Sequence, residues 1–212
     1  VCMTAREGRQ AQGAGTPVPR PASSVPAAGL PDYAELRCVS TFSFLVGASQ
    51  PEELVERAHK QGYRALALTD ECSVAGVVRA HVAAKKIGLK LLIGSQFSVA
   101  VPEPSGSDAP GPFSLGVLAC NLNGYGNLCE FITKLRRASE KGTYHLDLGA
   151  IASDELADCV VVASPVRGST DAQLVGLARW LLTHFTGRCC LGVDLLRQLD
   201  DEMWLHKLRE AS

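Results

Sequence analysis

No run of about 18 or more apolar residues occurs in the 212-residue sequence, which excludes a membrane-spanning helix. The opening VCMTAREGRQAQGAG has no apolar h-region, so it does not read as a secretory signal. Neither sign of charge is in excess. The 21 Lys and Arg against 22 Asp and Glu leave a formal charge of -1. The strongly basic balance of a stand-alone nucleic-acid binder is therefore missing. So are the phosphate-binding patterns GxxxxGK(S/T) and GxGxxG and the hydrolase elbow GxSxG. GYGN at 124–127 reads as a turn before a helix. The histidines form no HxH or HExxH pattern. His59 and His206 read as solvated, His81 as packed on an apolar helix face, and His145 as a loop residue within reach of a cleft. No convergent set of histidines and carboxylates for a hydrolytic metal is visible. The eight cysteines contain no CxxC pair, so the usual zinc and thioredoxin spacings are absent. Several lie in apolar runs such as DCVVVAS and RCCLGVDLL, and they read as reduced, structural thiols of a cytosolic protein.

What is present is enough for one core. Hydrophobic residues make up 46% of the chain, and a chain of this size buries roughly 70% of its unfolded surface. Residues 1–31 hold five prolines and four glycines, with Arg6, Glu7, Arg9 and Arg20 as their charges. That composition reads as a disordered leader. A single domain is expected over 32–212. YAELRCVSTFSFLVG reads as a strand running into a loop. Ser49, Pro51 and Glu52 read as the start of a helix that stops at Gly62. RALALTD is a strand. AGVVRAHVAAKKIG is a second helix, with Val77, Val78, His81 and Val82 at helical spacing and Gly88 at its end. KLLIGSQFSVAV and FSLGVLAC are strands separated by a Pro/Gly/Ser loop at 102–112. YGNLCEFITKLRRAS, TDAQLVGLARWLLTHF and DDEMWLHKLREAS read as helices, and DCVVVAS and RCCLGVDLL as strands. Some six near-continuous apolar strands alternating with amphipathic helices imply an α/β fold with a parallel sheet, either open or part of a barrel.

In such folds the chemistry gathers at the carboxyl ends of the strands. Those ends offer Arg37 to Ser43, Thr69-Asp70-Glu71, Gly94-Ser95-Gln96, Ser164-Pro165 and Asp194. The candidate acids are Glu35, Asp70, Glu71 and Asp194. Glu71 is placed either as a ligand or base, or as an acid facing the dipole of the second helix.

The motifs STFSFLVGAS, ALTDECSVAGVVRAH and GLKLLIGSQF, in this order and spacing, resemble the start of bacterial error-prone DNA polymerases. These are the ImuC-type relatives of the replicative polymerase III alpha subunit. NGYGNLCEFITKLRR and GRCCLGVDLL extend the resemblance over roughly 32–212. The part they resemble is the polymerase and histidinol phosphatase (PHP) domain, which implies a distorted β/α barrel. Metal-binding members carry HxHxH on the first strand, TDH after a later one, GxE on another, and an Asp before the glycine of the first motif. Those positions hold Glu35, Arg37 and Val39, then Glu71, then Gln96, and Val46. A guanidinium cannot ligate a metal. Error-prone members commonly keep His where Arg37 stands and Glu where Gln96 stands.

The resemblance therefore implies a degenerate PHP domain with no metal or other cofactor of its own, serving as a scaffold. The alternative is a metal-dependent phosphoesterase or proofreading exonuclease. The implied parent is a cytoplasmic polymerase of DNA replication and translesion repair, with magnesium at its own active site. Implied partners are the rest of the polymerase chain, DNA through that parent, and translesion accessory proteins, with no membrane. A further PHP histidine motif is expected past Ser212. The sequence is thus expected to be an N-terminal piece of an incomplete barrel, with an open sheet edge.

Overall fold

The computed structural model describes residues 32–101, 109–195 and 197–212. The leader expected over 1–31, and residues 102–108 of the expected loop, lie outside the described residues. The elements in order are β1 (Ala34–Glu35), α1 (Pro51–Lys60), β2 (Ala65–Leu68), α2 (Val77–Ile87), β3 (Lys90–Val99) and β4 (Phe113–Ala119). Then follow α3 (Leu122–Arg137), β5 (Cys159–Pro165), α4 (Asp171–His184), β6 (Cys189–Leu191) and α5 (Asp201–Ala211). The strands lie side by side in sequence order, β1 to β6.

The α/β class holds, with the sheet curled into half a barrel, but the sheet is mixed rather than parallel. β1, β2 and β3 pair in parallel through their helical crossovers. β4 is antiparallel to both β3 and β5, and β6 is parallel to β5. β4 returns antiparallel along the second half of β3, with Gly94 opposite Leu118 and Val99 opposite Phe113. After α3 the chain comes back along residues 138–158 and pairs beside Ala100, where Ala100 N–H donates to Leu146 O at 2.8 Å. This return brings the start of β5 next to the end of β4, giving the register Ala119 to Cys159.

The alternation of side chains sorts the sheet into two faces. On the outer face Phe97, Val99, Leu115, Val117 and Val161 bury against Leu128 and Phe131 of α3 and Leu177 and Leu181 of α4. Leu66 and Leu68 pack beneath Val55 of α1 and Val77, Ala80 and Ala84 of α2. On the concave face a small apolar layer of Ala67, Leu118 and Val162, with Leu36 and Leu92, fills the floor of the curl. β3 is long enough to pair with β2 through its first half and with β4 through its second, which makes it the spine of the fold.

Several local expectations shift. The buried stripe of α2 is Val77, Ala80 and Ala84. Val78, His81 and Val82 are exposed, so His81 is not a packed residue. Valines stand on both the buried and the exposed sides of α2, which hid the phase of the stripe. The cap of α1 is Gln50 rather than Ser49, and Gln50 N–H donates to Glu53 Oε2 at 2.8 Å. GYGN lies inside α3, not before it, because Asn121 caps the helix by accepting from Gly124 N–H at 2.9 Å. Gly124 is needed there: a Cβ would stand 2.1 Å from the Asp158 carbonyl oxygen.

None of the seven cysteines among the described residues is in a disulfide. Burial pushes the thiols of Cys38, Cys72 and Cys159 up to about 11. Their neutral forms are favoured by folding, so this stability is fully present below the ordinary thiol range. It is lost as the pH rises through about 11. At about pH 8, Ellman's reagent is expected to titrate exposed Cys120 quickly and these three only on unfolding. The unfolding midpoint is expected to fall as the pH rises through that window.

Candidate functional site

The carboxyl ends of β1, β2, β3, β5 and β6 and the amino end of β4 share one edge of the sheet, as the pairing directions require. Arg37, two residues past β1, reaches across this mouth. Its Nη1 donates to Asp194 Oδ2, beyond β6, at 2.7 Å. Its Nη2 donates to Gln96 Oε1 of β3 at 3.3 Å and approaches Ser114 Oγ of β4 at 3.5 Å. One guanidinium thus ties residues at both edges of the sheet and in its middle. Ser114 pairs with Ser164 of β5 on the same face. Gly192 opens the adjoining position, where a Cβ would stand 2.2 Å from Ser164 Oγ.

A second polar cluster lies on the outer face of the same edge. Asp70 is fully buried. Its carboxylate accepts from Ser40 N–H at 2.7 Å, from Ser40 Oγ at 2.8 Å and from Ser43 Oγ at 2.7 Å. Ser95 Oγ donates to Asp70 O at 2.7 Å and accepts from Ser73 N–H at 3.0 Å. A buried carboxylate is tolerable when its lone pairs are filled in this way. The result fixes the loop after β1 onto the ends of β2 and β3.

Glu71 belongs to neither cluster. Its carboxylate accepts from the Tyr144 hydroxyl, and from Ser98 N–H at 3.2 Å and Ser98 Oγ at 3.1 Å. Burial and then the Glu71 hydrogen bond push the Tyr144 phenol well above its ordinary range. Arg136 stacks over the Tyr144 ring at 5.5 Å and donates to Glu71 O at 3.3 Å. The dipole-facing alternative for Glu71 therefore gives way to a side-chain clasp with the 138–158 segment. Glu35 turns back on its own strand, accepting from Arg37 N–H at 2.9 Å and from the Tyr33 hydroxyl at 2.7 Å. Val39 is half-buried, and Val46 stands exposed on a loop.

Of the six positions matched to PHP ligands, Arg37 and Gln96 meet side chain to side chain, as donor and acceptor, while Glu35 accepts from the Arg37 backbone. The donor set does not fit a metal: a permanent cation occupies the centre, two positions are valines, and Glu71 is engaged by Tyr144 and Ser98. Among the described residues no group of three or more His, Cys, Asp and Glu could hold a metal ion. Asp194, offered by its place after a strand, does join the site. Ser114, Ser98 and Tyr144 escaped the sequence reading. Tyr144 lies 73 residues from its partner Glu71, and no local pattern marks it.

Residues 35–177 match the PHP domain family. The error-prone DNA polymerase of Ralstonia nicotianae is 49% identical over 184 residues, covering 82% of this chain and 16% of that protein. That of Dechloromonas aromatica is 50% identical over 170 residues, covering 78% of this chain and 15% of that protein. The chain thus spans about a sixth of the length of these relatives. Among solved structures, a Bifidobacterium adolescentis protein assigned as a metal-dependent phosphoesterase superposes with a TM-score of 0.55 at 18% identity. That match covers 88% of this chain and 85% of the other, and it speaks for the fold alone.

The Arg37–Asp194 pair is partly exposed, so the ion pair itself is worth only about 1 kcal/mol or less. Asp194→Asn is expected to cost that much. Arg37→Ala, which also strands Gln96 and Ser114, is expected to cost about 1–2 kcal/mol. The double variant should fall short of the sum, as a urea-unfolding double-mutant cycle would measure.

Proposed function

The chain belongs to the PHP-domain family, and from that premise we propose that it is a degenerate, structural PHP domain of an error-prone DNA polymerase. The observation that carries this reading is Arg37. A guanidinium is charged throughout the accessible pH range and has no lone pair to give a metal. It stands among Gln96, Ser114 and Asp194, where it holds strand ends together through hydrogen bonds. The relatives named error-prone DNA polymerase support the choice of parent.

In this reading the domain is a scaffold for the remainder of the polymerase polypeptide. Its parent works in replication and translesion repair in the cytoplasm. DNA and accessory proteins meet the domain through that parent, and the magnesium of nucleotide transfer belongs to residues outside this chain. Residues 35–177, which match the family, lie within the 32–212 domain of this reading.

The second reading, a metal-dependent phosphoesterase or proofreading exonuclease, is favoured by the likeness to the Bifidobacterium structure. A shared fold does not carry a site, however, and the residues at this mouth lack the donors that hydrolysis would need. Elemental analysis of the dialysed chain decides between them. The scaffold reading expects no stoichiometric zinc, manganese or iron, and no release of nucleotides from 3′-mismatched DNA. Two or three metal ions per chain together with such release would overturn it.

A further inference from the structure

We infer that the loop after β1 docks the domain onto the rest of the polymerase polypeptide, through Phe44, Leu45 and Val46. This rests on the scaffold reading and names the surface through which it would act. The three side chains are 85%, 90% and 67% exposed and consecutive. Isolated exposed apolar residues are ordinary, but a contiguous group marks an interaction site.

The group is also held in place. Thr41 N–H donates to Ser49 O at 2.9 Å and closes the base of the loop. Ser40 and Ser43 are buried and clamped to Asp70. Val46 N–H and Gly47 N–H both donate to Ser43 O, at 3.0 and 2.9 Å. A Cβ on Gly47 would stand 1.9 Å from Ser40 O, so the turn closes against backbone. Leu45 takes the left-handed conformation, with φ of 63°. A branched side chain in that region is strained, and the strain persists because the surrounding bonds over-determine the turn. Such a fixed tip loses little freedom on binding, which favours association.

The chemistry selects the occupant. Residues 40–49, STFSFLVGAS, contain no charged side chain, so the tip offers no cation to a phosphate backbone. An apolar pocket on protein fits it. The relatives supply that protein in the same polypeptide, since the matched region is about a sixth of their length. Linkage in one chain makes the contact intramolecular, so even a small apolar patch would be occupied.

The test joins this chain to the Ralstonia polymerase in place of its matching segment, with a benzophenone photo-cross-linker at Leu45 or, as a control, at exposed Val82. Position 45 is expected to cross-link within the same polypeptide, to residues past the domain, while position 82 does not. Phe44→Ser with Leu45→Ser and Val46→Ser should raise the rate of proteolytic release of the domain about tenfold. The same variant of the 212-residue chain alone should unfold at an unchanged or slightly higher temperature, which separates lost docking from lost folding. Suppose the joined domain is protected from proteolysis while position 45 stays uncross-linked and the triple variant behaves as native. The docking inference is then wrong and the scaffold reading stands. Should the joined domain be released as readily as an unrelated fusion, both fall. Cross-linking of position 45 to a second copy would overturn the inference in favour of self-association.

Discussion

A sheet of six strands in sequence order has two free edges, and here the chain ends of those edges are joined by one guanidinium. Arg37 leaves β1, crosses the open mouth and meets Asp194 beyond β6 at 2.7 Å, touching β3 and β4 on the way. The curl of the sheet brings the partners within reach, and the planar, multi-donor head of arginine can serve several at once. Lysine presents its donors from one compact nitrogen and lacks the fork that spans Gln96, Ser114 and Asp194. The energy of the ion pair is small because Asp194 is half exposed. Its effect is geometric: a fixed cation sits where strand ends converge, and that same cation makes the mouth unsuitable for a metal.

The other polar groups at this edge follow from that arrangement and are equally structural. Asp70 is spent on Ser40 and Ser43, and Glu71 on Ser98 and Tyr144. Each carboxylate anchors a connecting segment to the sheet, the first loop in one case and the 138–158 return in the other. At the far side Arg167 donates to Asp200 Oδ1 at 2.8 Å and lies 5.9 Å from the Trp204 ring, pinning α5 against the exit of β5. The domain therefore uses its charged residues to fasten loops and helices around one curled sheet.

Much of this was legible in the sequence where the signal is local. Apolar runs such as ALAL and CVVVASP located the strands, and Gly88 marked the end of α2, where its φ is 78°. The motif spacing carried the family resemblance, and the rule that strand ends hold the site named Arg37, Gln96 and Asp194 before any geometry. What failed depends on three dimensions. Strand direction is set by the connection: β4 to β5 contains a helix and is still antiparallel, because the segment after α3 retraces its length. The face of α2 was misplaced since valines occur on both its buried and its exposed sides. Tyr144 and Ser114 join their partners through tertiary contacts that no short pattern encodes.

The central claim is that a cation belonging to the protein, not a bound metal, holds the mouth. Thermal unfolding of the chain in EDTA and in excess manganese tests it directly, because a ligand bound to the native state must raise its stability. Manganese at a hundredfold excess over its dissociation constant would add about 2.7 kcal/mol, on the order of 5–10 °C for a chain of this size. The account predicts midpoints that coincide within about 1 °C. A midpoint that rises by several degrees with manganese and falls back in EDTA would contradict it.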